Sequence, residues 1–412
     1  MREMKDSGIE WIGEIPADWN IKRVKAVLCE RNESNNPIQT DEILSLTNDR
    51  GVIPYEEKGD VGNKSKEDLT GYKLAYPGDI VLNSMNVFIG SVGLSSYFGC
   101  VSPVYYMLYP RNKNDSVSFF NYLFQTKELQ TKLHGYGNGI MEIRMRIQMS
   151  KLNSVQLPVP PSDVQHKIAA YLDCKCSQID AIIARQQEVI EKLKAYKLSK
   201  INEIVVEVEG ITAHLGYVAN MKNGLNFNVV PDGKTLKFLG VGDFKDHYVL
   251  DSEEMFSDIL VNDEITSEYM LQSGDIIFVR SNGSRELVGR AVMVENVTFP
   301  LSYSGFCIRF RNLRTDILNS KYLLYFFRSP YFRKQLEKYS QGSNITNINQ
   351  VLLSQISIII PPFEVQLEAI GKVEKLLAAI DKLITGKQEI VSALERYKKS
   401  HIYEVVTGKK EV

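Results

Sequence analysis

The sequence is poor in several things that would have placed it quickly. It has five cysteines, an odd number, at Cys29, Cys100, Cys174, Cys176 and Cys307. They are scattered, and no secretory signal is evident before them, so a disulfide scaffold is excluded and a reducing cytoplasm is the expected location. Cys174-Lys-Cys176 lacks the two-residue gap of a zinc knuckle, and no metal is expected. Long hydrophobic runs are also missing. The longest, Val351 to Ile360, is broken by Ser354, Gln355 and Ser357 and is about half of what a bilayer requires. Nor is there an excess of charge of one sign: the formal net charge is −1, without the surplus of Lys and Arg that usually advertises a nucleic-acid binder. A neutral total still permits a local basic face, or a clamp completed by partners.

What the sequence does have is a repeat. Pro160-Pro161-Ser162-Asp163-Val164-Gln165 returns 201 positions later as Pro361-Pro362-Phe363-Glu364-Val365-Gln366. The same offset pairs Ile179-Asp180 with Ile380-Asp381, Gln187-Glu188 with Gln388-Glu389, and Tyr196-Lys197 with Tyr397-Lys398. A weaker echo precedes each copy. Pro77-Gly78-Asp79-Ile80 answers Ser273-Gly274-Asp275-Ile276, and a Gly-rich stretch then leads to each proline pair. Self-similarity of this kind fixes architecture before secondary structure is argued.

Between Ser162 and Glu209 there is neither proline nor glycine, so the segment can run as one helix. Large apolar residues recur at Ile168, Leu172, Ile179, Ile182, Val189, Leu193 and Tyr196, and again at Val373, Leu376, Ile380, Leu383, Ile390, Leu394 and Tyr397. Steps of three, four and seven make these the expected coiled-coil seam. Neither helix can bury its stripe alone, so the two copies are expected to pack on each other, antiparallel, as a rod of about 60 to 65 Å. Gln186 and Lys387 interrupt the seam at equivalent points. They either pin the register or face solvent in an imperfect heptad.

The fold class that follows is α+β: two mixed α/β domains joined by two long helices in an antiparallel coiled coil, an internal pseudo-two-fold repeat. The expected divisions are a leader at 1-20, a domain at 21-159, a helix at 160-209, a second domain at 210-360 and a second helix at 361-412. Candidate strands are Ile43-Leu46, Asp79-Leu82, Phe238-Val241 and Ile276-Val279. Helical patches near Phe119 to Leu133 and Ser320 to Tyr339 carry many aromatics, which are expected to be core.

Residues that read base edges are long or forked donors and acceptors on exposed loops. The loops offer Asn48, Arg50, Asn83, Asn86, Arg144 and Arg146 in the first half, and Arg280, Asn282, Ser284, Arg285, Asn344 and Asn347 in the second. Singly, each is also what turn chemistry would place there.

Catalytic motifs fail on context. Ile360-Pro361-Pro362-Phe363 lacks the Asn or Asp of an amino-methyltransferase loop, and Gly240-Val241-Gly242 has Lys245 where a third glycine belongs. Asp232 with Asp243 and Lys245 has the spacing of a metal-dependent nuclease, but the counterpart strand at Ile43 to Asn48 has no such triad. His134, His166, His214, His247 and His401 show no ligand spacing. Two other function classes stay in view: a nuclease or methyltransferase in its own right, and a coiled-coil scaffold that does not read DNA.

The leader Ser7-Gly8-Ile9-Glu10-Trp11-Ile12-Gly13-Glu14-Ile15-Pro16 with Trp19, then Pro-Gly-Asp-Ile, Pro-Pro-x-x-Val-Gln and a Tyr-Lys-bearing helix, resembles the specificity subunit of type I restriction-modification systems. The likeness spans the chain, although Val164 and Val365 stand where that family commonly has Glu. The resemblance implies a non-catalytic subunit whose two target-recognition domains read the halves of a gapped double-stranded DNA target. It implies as partners two methyltransferase subunits and two motor-nuclease subunits. S-adenosylmethionine, ATP and magnesium would be bound by those partners and not by this chain.

Overall fold

The computed structural model describes the chain apart from residues 1, 49, 60–67, 86–89, 137–145, 227–232, 262–264 and 340–345. Two helices dominate it, Ser162–Val206 of 45 residues and Phe363–Val406 of 44. The fold divides into a first unit of Met1–Gln186 with Glu389–Val412 and a second unit of Gln187–Gln388, so each long helix gives about half its length to each unit.

In the first unit the domain is built on a four-stranded antiparallel sheet in the order Leu28–Arg31, Tyr105–Pro110, Ile80–Asn83, Val92–Leu94. In the second unit the corresponding sheet has five strands: Ala219–Asn223, Cys307–Asn312, Ile276–Val279, Ala291–Val294 and the parallel edge strand Val249–Leu250. The aromatic patches are helices, Val117–Phe124 with Lys127–His134 in one unit and Ser320–Phe327 with Pro330–Tyr339 in the other. Phe119, Phe120, Phe124, Tyr322, Phe326 and Phe327 are all buried, so these rings are core.

The echoed Gly-Asp-Ile turn is structural in both units. Gly78 and Gly274 hold φ near +88° and +89°, a region that other residues enter only under strain. The aspartate that follows is buried and meets an arginine bidentately. Asp79 takes Arg31 Nε at 2.9 Å, and Asp275 takes Arg311 Nε and Nη2 at 2.7 Å. Both carboxylates also accept a backbone N–H three residues upstream, from Tyr76 and Gln272. The arginines come from different strands, so the shared requirement is a paired charge on a buried turn and not a shared sequence position.

The repeated Pro-Pro-x-x-x-Gln motif is a joint between domain and helix. A two-stranded ribbon brings the chain to it, Asn20–Arg23 against Gln156–Val159 in the first unit and Ile211–His214 against Ser357–Ile360 in the second. The glutamine then ties the helix start to the domain. Gln366, fully buried, accepts from Asn319 N–H at 2.8 Å and donates through Nε2 to the carbonyls of Ile317 and Pro361 at 2.8 and 2.9 Å. Gln165 makes the same kind of contacts with Ser116 N–H, Asp115 and the Pro160 carbonyl.

Within each unit the two long helices pack antiparallel. In the first unit Lys398 Nζ reaches Asp180 at 2.7 Å and His401 meets the hydroxyl of Tyr171 at 3.2 Å, so later positions of one helix face earlier positions of the other. In the second unit Lys197 Nζ reaches Asp381 at 2.8 Å. The repeated Ile-Asp and Tyr-Lys pairs thus answer one another across copies: each lysine finds the aspartate of the opposite helix.

The buried face differs in phase from the expected seam. Ile168, Leu172, Ile179, Val373 and Ile380 are buried, and Val189, Leu193, Leu376 and Leu394 are half-buried. Ile182, Tyr196, Leu383, Ile390 and Tyr397 are 44 to 53% exposed, which corrects their placement in the seam. The inward positions lie one residue later, at Ile183, Ile190, Lys197, Ile384, Val391 and Lys398. The physical reason is that Lys197 and Lys398 lay their aliphatic stems in the interface while their ammonium groups reach an opposing carboxylate, so the more hydrophobic neighbouring tyrosines turn outward. Gln186 and Lys387 are half-buried.

The leader folds onto the far end of the second helix, inside the first unit. Tyr403 donates to the Trp11 carbonyl at 2.8 Å, Lys409 to the Ile12 carbonyl at 2.7 Å, and Ile12, Ile15 and Trp19 share a core with Ile402, Val405 and Val406. Among the described residues no helix is long and apolar enough to cross a membrane.

Candidate nucleic-acid interface

The strand after the Gly-Asp turn ends in each unit at a loop junction built on one plan. In the first unit Ser84 accepts from Ile147 N–H at 2.9 Å and its hydroxyl donates to the Val104 carbonyl at 2.6 Å. In the second unit Arg280 accepts from Ile348 N–H at 2.9 Å and donates its own N–H to the Phe306 carbonyl at 2.7 Å. Three segments meet at each junction: the loop leaving the Gly-Asp strand, the segment before a short helix, and the turn before the neighbouring strand.

This frame gathers many of the candidate residues. In the first unit Asn83 N–H donates to the Ser91 carbonyl, and Ser91 Oγ donates to Asn48 Oδ1 at 2.6 Å, which brings the Leu44–Thr47/Gly51–Pro54 hairpin against the junction. Arg146, exposed, stands next to buried Ile147. Arg50 donates to the Glu57 carbonyl. In the second unit Ser281 bridges Asn347, Asn282 Oδ1 accepts from Ser284 N–H in a local turn, and Arg333 Nη2 reaches the Arg285 carbonyl at 3.4 Å. Asn86, Arg144 and Asn344 lie outside the described residues.

Arg280 is held in an unusual way. Its Nη1 donates to the Gly305 carbonyl at 3.2 Å, while Nε is buried without a partner among the described residues. The guanidinium is thus partly ordered with donor capacity left over. Phe306 is not among the candidates, yet 56% of it is exposed on the turn whose carbonyls accept from Arg280. A phenylalanine entering the strand Cys307–Asn312 reads from sequence as core, and only the turn geometry shows otherwise.

One residue with nuclease-like spacing has a structural use. Asp243 Oδ2 caps Gly240 N–H at 2.7 Å and Oδ1 accepts from Ser257, so it closes a turn; Asp232 lies outside the described residues. Burial pushes the thiols of Cys100, Cys176 and Cys307 up, the last to about 12. Among the described residues no cluster of His, Cys, Asp and Glu could hold a metal ion.

The two-unit organisation is mirrored in comparisons with known proteins. A family model, the type I restriction modification DNA specificity domain, matches residues 16–195 and 232–399. The chain belongs to that family. Members similar to it include the StySPI specificity subunit of Salmonella potsdam, 26% identical over 269 residues, a match that takes in 61% of this chain and 56% of that relative's length. The MjaVIII specificity subunit of Methanocaldococcus jannaschii is 24% identical over 96% of this chain and 93% of its own. A solved chain from work on complex assembly and conformational transition of the type I R-M system superposes with a TM-score of 0.73 at 13% identity, covering 96% of this chain and 99% of that one. At that identity the likeness speaks for the fold: two specificity domains with the long helices packed together.

Proposed function

We propose that the chain is the non-catalytic, sequence-reading subunit of a type I restriction-modification complex, each unit reading one half of a gapped duplex target. The observation that carries this reading is the shared junction with unlike side chains. Ser84, Val104 and Arg146 occupy in one unit the places that Arg280, Phe306 and Asn347 occupy in the other. A common frame with different donors, acceptors and apolar surface is what reading two dissimilar half-sites demands. The long helices would set the gap between them.

The outward apolar positions support partner docking. Ile182, Ile390 and Tyr397 on the first unit, and Tyr196 and Leu383 on the second, leave large side chains in water at heptad-related places. We assign these faces to the methyltransferase subunits, with the motor-nuclease subunits joining the same assembly. On this reading S-adenosylmethionine, ATP and magnesium belong to the partners. Co-expression with the methyltransferase subunit followed by genome-wide mapping of methylated adenines tests the assignment. A gapped two-part motif is expected, and exchange of residues 21–159 should alter one part only; a continuous motif, or alteration of both parts, overturns it.

A further inference from the structure

Phe306 is a large apolar side chain left in water by a turn that has little freedom to hide it. Phe306 N–H donates to Ser304 Oγ at 3.2 Å, Cys307 N–H to the Ser304 carbonyl at 2.8 Å, and Gly305 N–H to the Leu225 carbonyl at 2.8 Å. Its own carbonyl accepts from Arg280 N–H, and the Gly305 carbonyl accepts from the Arg280 guanidinium. Gly224 packs so closely behind the turn that an added Cβ would come within 2.4 Å of the Tyr303 carbonyl oxygen. The ring is therefore presented by a rigid backbone, and its exposure does not serve the fold.

Its surroundings indicate the ligand. Arg280, Ser281, Asn282 and Asn347 lie around the same junction, and all are polar. A protein-binding hot spot would be expected to sit among further apolar and aromatic anchors. Forked polar side chains suit the donor and acceptor edges of bases in the major groove, but none of them can distinguish a thymine by its 5-methyl group. A phenylalanine ring supplies that contact.

We propose that Phe306 is a specificity-determining residue that packs on the 5-methyl group of a thymine in the half-site read by the second unit, flanked by polar base contacts from Arg280 and Asn347. The inference rests on the DNA-reading assignment above. The first unit has half-buried Val104 at the corresponding place, where no aromatic ring stands. Thymine-methyl discrimination through this position is accordingly expected in the half-site of the second unit.

The test uses the full chain with its methyltransferase partners. Once the wild-type motif is mapped, each thymine in the half-site specified by residues 210–360 is replaced in turn by deoxyuridine, which lacks only the methyl group, and equilibrium binding is measured at fixed salt. One replacement should weaken wild-type binding about fourfold, the effect of burying one methyl-sized group. Phe306→Ala should weaken binding to unmodified DNA at least as much and be indifferent to that deoxyuridine, while Phe306→Leu should retain part of the sensitivity. Thermal melting of each variant checks that the turn still folds. The proposal is overturned if the half-site contains no thymine, if Phe306→Ala binds within twofold of wild type, or if wild type is insensitive to deoxyuridine at every position. A wild-type complex that methylates no discrete gapped motif refutes the DNA-reading assignment itself, and the inference with it, before any variant is examined.

Discussion

Gln366→Leu is the sharpest probe of the joint between domain and helix. Leucine nearly fills the same volume, so the substitution isolates hydrogen bonding from packing. It removes an acceptor from Asn319 N–H and a donor shared by the Ile317 and Pro361 carbonyls. A buried group stripped of its partner costs about 1 to 3 kcal/mol. The Pro361 carbonyl belongs to a buried residue, whereas Ile317 is 39% exposed and water can replace part of its loss. The net destabilisation is then about 3 kcal/mol. For a unit of this size that corresponds to a melting shift of roughly 6 to 12 °C. Scanning calorimetry of the full chain measures it, and hydrogen exchange locates it: protection should fall at residues 363–370 and stay unchanged at 162–170. Gln366→Glu keeps the acceptor but sets a carboxylate against two carbonyls, so its defect should lessen as the pH is lowered and the acid becomes a donor. A Gln366→Leu protein that melts within about 1 °C of wild type, with unchanged exchange at 363–370, would show that the joint is not held by this side chain.

Further outcomes follow from the same structure. Gly408→Ala, at φ +73° with an added Cβ only 2.4 Å from Pro16 Cδ, should cost about 1 to 3 kcal/mol and expose residues 1–20 to protease; unaltered denaturation would refute the close approach. His401 is kept below its ordinary 6.5 by burial and then by Lys410, so the unfolded chain takes up a proton first. Stability should be complete above about pH 6.5, decline below it, and decline less steeply in His401→Gln, as read by urea unfolding between pH 5 and 7.5. A double-mutant cycle on Asp180 and Lys398 should give a coupling of only about 0.3 to 1 kcal/mol, because the aspartate side chain is 56% exposed; a coupling above about 2 kcal/mol would mean that the pair is far better shielded than its geometry indicates.

The duplication and the long helices were legible because they are written locally: no helix breaker from 162 to 209, and motifs recurring at one offset. The buried aromatic patches were legible for the same reason, as apolar side chains at helical spacing. The seam's phase was not. Hydrophobicity favours Tyr196 and Tyr397 as the inward residues, and only an opposing Asp381 or Asp180 turns Lys197 and Lys398 inward instead. That preference is a property of the pair and is invisible in either helix alone. Similarly, Gln165 and Gln366 were visible as a motif but not as a joint, since the groups they satisfy lie about fifty residues upstream in the chain. Phe306 was missed because a lone phenylalanine beside a strand is ordinarily core.

The reciprocal lysine–aspartate contacts also bear on how such a chain can change over time. Because Lys398 answers Asp180 and Lys197 answers Asp381, a change at one of these positions is felt by the other helix copy, and the duplicated scaffold is weakly coupled to its twin. The reading surfaces carry no such mutual obligation. Each is fastened to its helix through a short ribbon, one glutamine and a shared apolar core, so a foreign domain that preserves those attachments could be grafted in like an interchangeable cartridge, altering one word of the target and leaving the other as it was.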